Sequence, residues 1–336
     1  MDPLIFITIF ISFFVTYLAL PYWIRKAKQI KFLWEDMHKK GHPKNVAGSG
    51  GIIVLGGTTI GILSYVAVNI FVFNGDNGTL TKIFALLSVL LISSLIGLID
   101  DFFGWQQGGL SRRSRIMLMV FAAIPLMAIN AGSSVVNLPL FGTLDLGILY
   151  PLLIIPIGIV GATTTYNFIA GYNGLEASQG IIILSAMSLV TFMNGDKWLS
   201  IIALSMVASL IAFYWFNKFP AKVFPGDVMT YSIGALIAGI AILGNMERIA
   251  ILFFIPYIIE TILKLRGNLK KHSFAKLNKD GSLEAPYRKI YGLEHLAIKI
   301  LKKIKSSKKV YEKDVVYFIN GLQILTILIV LLIYYY

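Results

Sequence analysis

Ten stretches of this chain are apolar over about the length that a helix needs to cross a bilayer, at roughly 3–20, 49–72, 80–99, 115–131, 146–165, 174–192, 198–217, 226–244, 248–265 and 314–336. A hydrocarbon core about 30 Å thick takes about 20 residues of helix. Lipid offers no partner to a free backbone N–H or C=O, so each stretch is predicted to be helical. The expected fold class is all-α integral membrane, with ten transmembrane helices in a single polytopic domain spanning 1–336. Composition agrees: 57% of the residues are hydrophobic and 14% charged, where soluble domains carry about a quarter charged. With no cysteine, disulfides and thiolate metal sites are excluded. The first run lacks a preceding basic segment and a small-residue cleavage site, so it reads as a retained span.

A formal charge of +13 would point to nucleic acid in a soluble protein, but the positions of the charges decide otherwise. If the ten spans alternate, 27 of the 30 Lys and Arg fall on one side, in the segments 21–48, 100–115, 217–225 and 264–313. The other side keeps Lys82, Lys197 and Arg248. Basic loops stay cytoplasmic, so both termini are expected outside a multi-pass cell-membrane protein and the basic loops inside, against lipid headgroups. No nucleic-acid partner is expected. The outer loops 73–79, 132–145, 193–197 and 245–247 are short, and nearly every unusual polar residue lies on the basic face. Active-site loops are therefore expected on the cytoplasmic face.

Several clusters there could carry chemistry. Asp100-Asp101 closes the third apolar stretch. Such a pair can simply mark the exit into water, yet a helix C-terminus is a poor place for added negative charge, and a cation would relieve the conflict. The segment from Asn167 to Glu176 has two asparagines with glycines between and no basic residue. It reads as an Asn-Gly turn or as amide oxygens aimed at a cation and a planar ligand. Asp227, after Phe224-Pro225-Gly226, reads as a helix N-cap or as a third carboxylate at the boundary. The loop 266–313 holds Lys271, His272 and Lys276, which topology alone explains, but which also suit phosphate. His38 and His42 flank Gly41 beside Pro43, which argues against a helical metal pair, and neither has an assigned role. Taken jointly, Asp and Asn oxygens favour a hard cation, Mg²⁺ or Mn²⁺. With surrounding cations they form the equipment of phosphoryl transfer.

These residues resemble the polyprenyl-phosphate N-acetylhexosamine-1-phosphate transferases, glycosyltransferase family 4, over most of the chain. Asp100-Asp101, the run Asn167-x-x-x-Gly171-x-Asn173-Gly174-Leu175-Glu176, and Phe224-Pro225-Gly226-Asp227 stand in the family's order. The second run, with Lys276-Leu277-Asn278 and Asp280-Gly281-Ser282-Leu283-Glu284, is similar to the archaeal and eukaryotic dolichyl-phosphate branch. The histidine-rich signature of the muramoyl-pentapeptide branch is absent.

The resemblance implies Asn167 and Asp227 as Mg²⁺ ligands, and Gly171, Asn173, Glu176 and Phe224 as donor-nucleotide contacts, with Phe224 stacked on uracil. It implies Asp100, Asp101 and Arg115 as catalytic residues beside the reacting phosphate. Lys271, His272 and Lys276, from the loop 266–313, would approach the pyrophosphate or the sugar. Arg115 stands where relatives carry lysine; it can grip phosphate but cannot carry a proton. Lys271-His272-Ser273 replaces an Arg-His-Arg run. The implied reaction moves N-acetylglucosamine-1-phosphate from UDP-N-acetylglucosamine to a polyprenyl (dolichyl) phosphate and releases UMP, the first step of lipid-linked oligosaccharide assembly for N-glycosylation. A second option keeps the chemistry with another UDP-N-acetylhexosamine and undecaprenyl phosphate. A transporter would need polar residues near span midplanes, whereas the candidates sit at span ends. A homodimer is compatible with the resemblance.

Overall fold

The computed structural model describes residues 3–73, 78–138 and 142–335. Parts of two expected outer loops, 74–77 and 139–141, lie outside the described residues, as do both extreme termini. All ten apolar stretches fall on helices. In chain order these are α1 (Pro3–Gln29), α2 (Gly51–Phe71), α3 (Leu80–Gln107), α4 (Arg112–Ala128), α5 (Ile155–Tyr166) after a π-helical turn at Tyr150–Ile154, α6 (Leu175–Met193), α7 (Lys197–Asn217) and α8 (Asp227–Leu243). The chain continues through α9 (Glu247–Phe253), α10 (Ile255–Arg266), a further helix α11 (Leu293–Ile304) and α12 (Glu312–Tyr335). Six of them, α1, α2, α3, α6, α7 and α12, are long and apolar enough to cross a membrane by length and composition; Tyr150–Tyr166 and α8 are shorter apolar helices. The molecule is thus a helical, multi-pass membrane protein.

The ninth expected span is broken between α9 and α10 at Phe254, two residues before Pro256. Proline has no N–H to continue the ladder and disfavours helix in the residue before it. The fifth opens through a π-helical turn containing Pro151 and enters α5 at Pro156. The third does not end at the acidic pair: α3 continues to Gln107 and ends at left-handed Gly108. Apolar length marks where lipid contact ends, whereas the hydrogen-bond ladder can run on into polar sequence, as it does here for two further turns.

Residues Val228 to Leu243 of α8 are buried throughout, as expected for a helix that is apolar all round. It packs against α3, α5 and α2. Gly97 permits the approach of α3, since a Cβ there would lie 2.5 Å from the carbonyl oxygen of Asp227. Ser94 and Ser232 hydrogen-bond across the same interface at 2.5 Å. Outer faces of α1 and α12 expose Phe10, Leu18, Leu325 and Ile329, the surface lipid would cover.

Among the described residues, three two-stranded antiparallel ladders lie in the loops. The strands β1 (Leu33–Glu35) and β2 (Lys44–Ala47) pair in the loop between α1 and α2, β3 (Val135–Leu138) and β4 (Gly142–Asp145) in the loop after α4, and β5 (Lys276–Leu277) and β6 (Leu283–Glu284) in the long basic loop. That loop also holds α11, whose Leu293, Ala297 and Ile298 are buried while Lys303 and Ile304 face outward.

Candidate active site

The site is assembled near the last turns of α3, the end of α5 and the starts of α4 and α8, and its anchor is the start of α8. Phe224 N–H donates to the carbonyl of Ala47 at 2.8 Å, and the carbonyls of Phe224 and Pro225 accept N–H of Gly50 and Gly51 at 2.9 Å each. This ladder fixes the Phe224–Asp227 turn against the segment that opens α2. Gly226 holds φ +72°, and a Cβ there would lie 2.2 Å from Oδ2 of Asp101, so both conformation and space demand glycine. Gly226 is the N-cap and Asp227 is the first helical residue; the cap position expected of Asp227 belongs to its neighbour.

The two acidic neighbours on α3 have separate surroundings. Asp101 accepts the N–H of Asp227 at 2.7 Å, the N–H of Val228 at 3.4 Å and the hydroxyl of Ser49 at 2.7 Å. It is a carboxylate placed at the positive end of α8, which satisfies amides that a helix start leaves unpaired. Asp100 turns toward α4: Oδ2 lies 2.6 Å from Arg115 Nε and accepts the Tyr231 hydroxyl at 3.1 Å, while Oδ1 accepts the N–H of Leu110 at 2.7 Å. Both carboxylates are nearly fully buried. The buried negative charge within α3 is thus met by the dipole of one helix and the guanidinium of another.

Asn167 caps the C-terminal end of α5. Its Oδ1 accepts the Thr230 hydroxyl at 3.1 Å, one turn along α8 from Asp227, which brings the two expected metal ligands to one place. Beyond Asn167 the chain doubles back. The Gly171 N–H donates to Glu176 Oε1 at 2.8 Å, and the Tyr166 hydroxyl donates to the Glu176 carbonyl at 2.6 Å. Glu176 is thereby the brace of this turn. Asn173 is held by its N–H to Glu312 Oε1 at 2.7 Å and by Nδ2 to Asp36 Oδ2 at 3.2 Å.

Two cavities meet at Asn167 and Gly171. The smaller, about 210 Å³, is lined by Asp101, Asn173, Glu176, Phe224, Asp227 and both of those residues. The larger, about 700 Å³, has Arg115, Lys271 and His272 in its wall, with Arg112 and Lys264. One cavity is therefore walled by carboxylate, amide and aromatic groups and its neighbour by cations. Of the twelve residues expected at the site, ten line one or both cavities. Asp100 lies behind, bonded to Arg115. Lys276 lines neither; it is exposed in β5, paired with Glu284 in β6. Residues that sequence reasoning did not single out also line the smaller cavity: Trp34, Ser49, Thr230 and Phe274. The Gly48-Ser49-Gly50-Gly51 run was the available signal for Ser49; Phe274 carried none among so many aromatics.

Among the described residues, no group of three or more His, Cys, Asp or Glu side chains is arranged to hold a metal by itself. The converging donors near Asp227 are oxygens: a carboxylate, the Asn167 amide and the Thr230 hydroxyl. Such a set fits a hard cation that keeps water and completes its shell with substrate phosphate, and does not fit zinc.

The glycosyl transferase family 4 model matches residues 83–245, which contain Asp100, Asp101, Arg115, Asn167 and Asp227. A protein of Saccharolobus solfataricus that carries the name UDP-N-acetylglucosamine–dolichyl-phosphate N-acetylglucosaminephosphotransferase is 37% identical over 298 residues, 88% of each chain. The protein of the same name from Sulfolobus acidocaldarius is 29% identical over 323 residues, 96% of this chain and 93% of its own. A phospho-N-acetylmuramoyl-pentapeptide-transferase of Streptococcus thermophilus is 31% identical over 258 residues, 74% of this chain and 75% of its own. With a relative this similar matched along most of both chains, and with Asp100, Asp101, Arg115, Asn167 and Asp227 inside the family match, the chain belongs to glycosyl transferase family 4.

Proposed function

We propose that this protein transfers N-acetylglucosamine-1-phosphate from UDP-N-acetylglucosamine to a polyprenyl phosphate of the dolichyl type and releases UMP. The observation that carries the reading is that Asn167, which lines both the aromatic and amide-walled cavity and the cation-walled one, stands beside Asp227 in the wall of the former. In this reading the smaller cavity takes the nucleotide, with Phe224, Gly171 and Asn173 around the base. Asn167 and Asp227 hold Mg²⁺, which neutralises charge on the donor diphosphate. Arg115, Lys271 and His272 take the remaining phosphate charge and the sugar in the larger cavity. An acceptor-phosphate oxygen attacks the phosphorus that bears the sugar, and the bond to the bridging oxygen breaks as UMP departs. Two anions must approach each other, so charge neutralisation dominates the barrier. Asp100 orients Arg115, while Asp101 acts at one remove by fixing the turn that presents Asp227.

The proposed topology has ten spans, both termini outside and this site at the cytoplasmic boundary, a reading that the distribution of basic residues supports. An acceptor with its tail in lipid and its phosphate at that boundary would meet the larger cavity. One relative named a dolichyl-phosphate transferase is 37% identical along 88% of this chain, against 31% along 74% for the pentapeptide-transferase of Streptococcus thermophilus and 29% along 97% for that of Streptococcus mutans, and this higher identity favours N-acetylglucosamine and a dolichyl-type acceptor. The test is purified protein in detergent with radiolabelled UDP-N-acetylglucosamine, dolichyl phosphate and Mg²⁺. Labelled lipid and UMP in equal amounts are expected; the absence of both, under conditions where a family member turns over, overturns the assignment.

A further inference from the structure

Behind the smaller cavity, three segments far apart in sequence converge on one imidazole. His38 has a side chain only 1% exposed, and its ring lies 4.3 Å from Tyr172 and 5.8 Å from Phe274 between centroids. Its Nε2 accepts the backbone N–H of Ala275 at 3.2 Å. A backbone amide can only donate, so Nε2 carries no proton and the ring proton sits on Nδ1. Nδ1 faces Oε1 of Glu312 at 3.4 Å, the same oxygen that accepts the Asn173 N–H at 2.7 Å. Below the ring, the His38 N–H donates to Asp36 Oδ1 at 3.3 Å, and Asp36 Oδ2 takes Asn173 Nδ2 and the Lys39 ammonium. The two walls of the cavity, one carrying Gly171 to Asn173 and the other Phe274, are thus joined through a single side chain and the first residue of α12.

We propose that His38, as the neutral tautomer protonated at Nδ1, is a positioning residue for the donor nucleotide, setting with Glu312 the separation of the 171–173 and 274–275 segments. The inference rests on the reading of the smaller cavity as the nucleotide site. His38 does not line that cavity; it acts through Asn173, Tyr172 and Phe274, which do. A histidine that merely filled space would be replaceable by an apolar ring of similar volume. A directional link is not, because phenylalanine neither accepts from Ala275 nor donates to Glu312. Glutamine at position 38 can place its amide oxygen near Nε2 and keep the bond to Ala275, whereas asparagine can place its NH₂ near Nδ1 and keep the link to Glu312.

The test compares His38→Phe, His38→Gln, His38→Asn and Glu312→Ala with wild type, in steady-state transfer and in calorimetric titration with UDP. Wild-type UDP binding and turnover come first, since failure of both overturns the nucleotide-site reading and this inference with it. With those in place, His38→Phe is expected to raise KM for the donor and Kd for UDP roughly 10- to 100-fold, with kcat changed by less than about 3-fold. Glutamine and asparagine should each recover part of that loss. His38→Phe with Glu312→Ala should cost less than the product of the single effects. The exposed His42→Asn on the same loop serves as the unaffected control. Should His38→Phe fail to fold, the Gln, Asn and Glu312→Ala variants decide. Unchanged KM and Kd in the folded variants, or a fall in kcat alone, overturns the proposal.

Discussion

Replacing Asp101 by alanine separates two accounts of the acidic pair. If Asp101 is chiefly an acceptor for the first turn of α8, its loss leaves the N–H groups of Asp227 and Val228 and the Ser49 hydroxyl without their partner. Two of those bonds are 2.7 Å long, and hydrogen bonds to a charged group contribute about 1.5–3 kcal/mol each, so about 3–6 kcal/mol is lost. Against this stands relief of repulsion with Asp227, since Asp100 is already compensated by Arg115. For any two like unit charges at a generic separation of about 6 Å, an effective dielectric of about 20 gives a repulsion of about 3 kcal/mol. The balance is a net loss on the order of 2 kcal/mol. Thermal unfolding in detergent, followed by tryptophan fluorescence, should show Asp101→Ala melting below wild type, with Ser49→Ala in between. Turnover should fall at least roughly 100-fold, because a shift of about 1 Å in the turn displaces Asp227. An Asp101→Ala protein that melts at or above the wild-type temperature would refute this reasoning. It would mean that repulsion, held for a bound cation, is the larger effect.

Two further outcomes follow from the basic loop. Burial, with Lys264 nearby, pushes His295 down to about 4, against about 6.5 in an unfolded chain. Between those values the unfolded state binds the proton and the folded state does not, so this contribution is complete above about pH 6.5 and is lost as pH falls toward 4, by at most about 3 kcal/mol. His295→Phe should therefore flatten the melting temperature's rise between pH 4 and 6.5, and an equal slope in both proteins would contradict it. Because the chain has no cysteine, single cysteines at positions 104–110 or 280–290 report topology without background. They are expected to label only from the cytoplasmic side, and labelling from outside would reverse the orientation.

The helices were legible because lipid leaves the backbone few choices: each apolar stretch falls on helix, and among the described residues six of the helices are long and apolar enough to cross a membrane. What apolar length could not show was where each ladder stops: α3 runs past Asp100-Asp101, while α9 and α10 part at a proline. The oxygen-rich positions of the site were legible by residue type and loop, and Asn167, Asp101 and Asp227 do come together. The division of labour within the acidic pair was not, since adjacent identical residues are indistinguishable until one faces Arg115 and the other the start of α8. His38 was visible as a residue but not as a link, for its partners Glu312 and Ala275 lie 274 and 237 positions away. Lys276 shows the converse: a residue that motif order places at the site stands in a hairpin, outside both cavities.

The central claim is that Asn167 and Asp227 hold the cation on which transfer depends. The most direct measurement is a Mg²⁺ titration of single-turnover transfer from labelled UDP-N-acetylglucosamine, comparing wild type with Asn167→Ala and Asp227→Ala, each shown to be folded and inserted. Wild type should be silent after chelation and recover with Mg²⁺. Asn167→Ala should require far more metal, and Asp227→Ala should remain silent at every concentration. Transfer that survives chelation, or an Asp227→Ala protein with the wild-type metal dependence, would contradict the account.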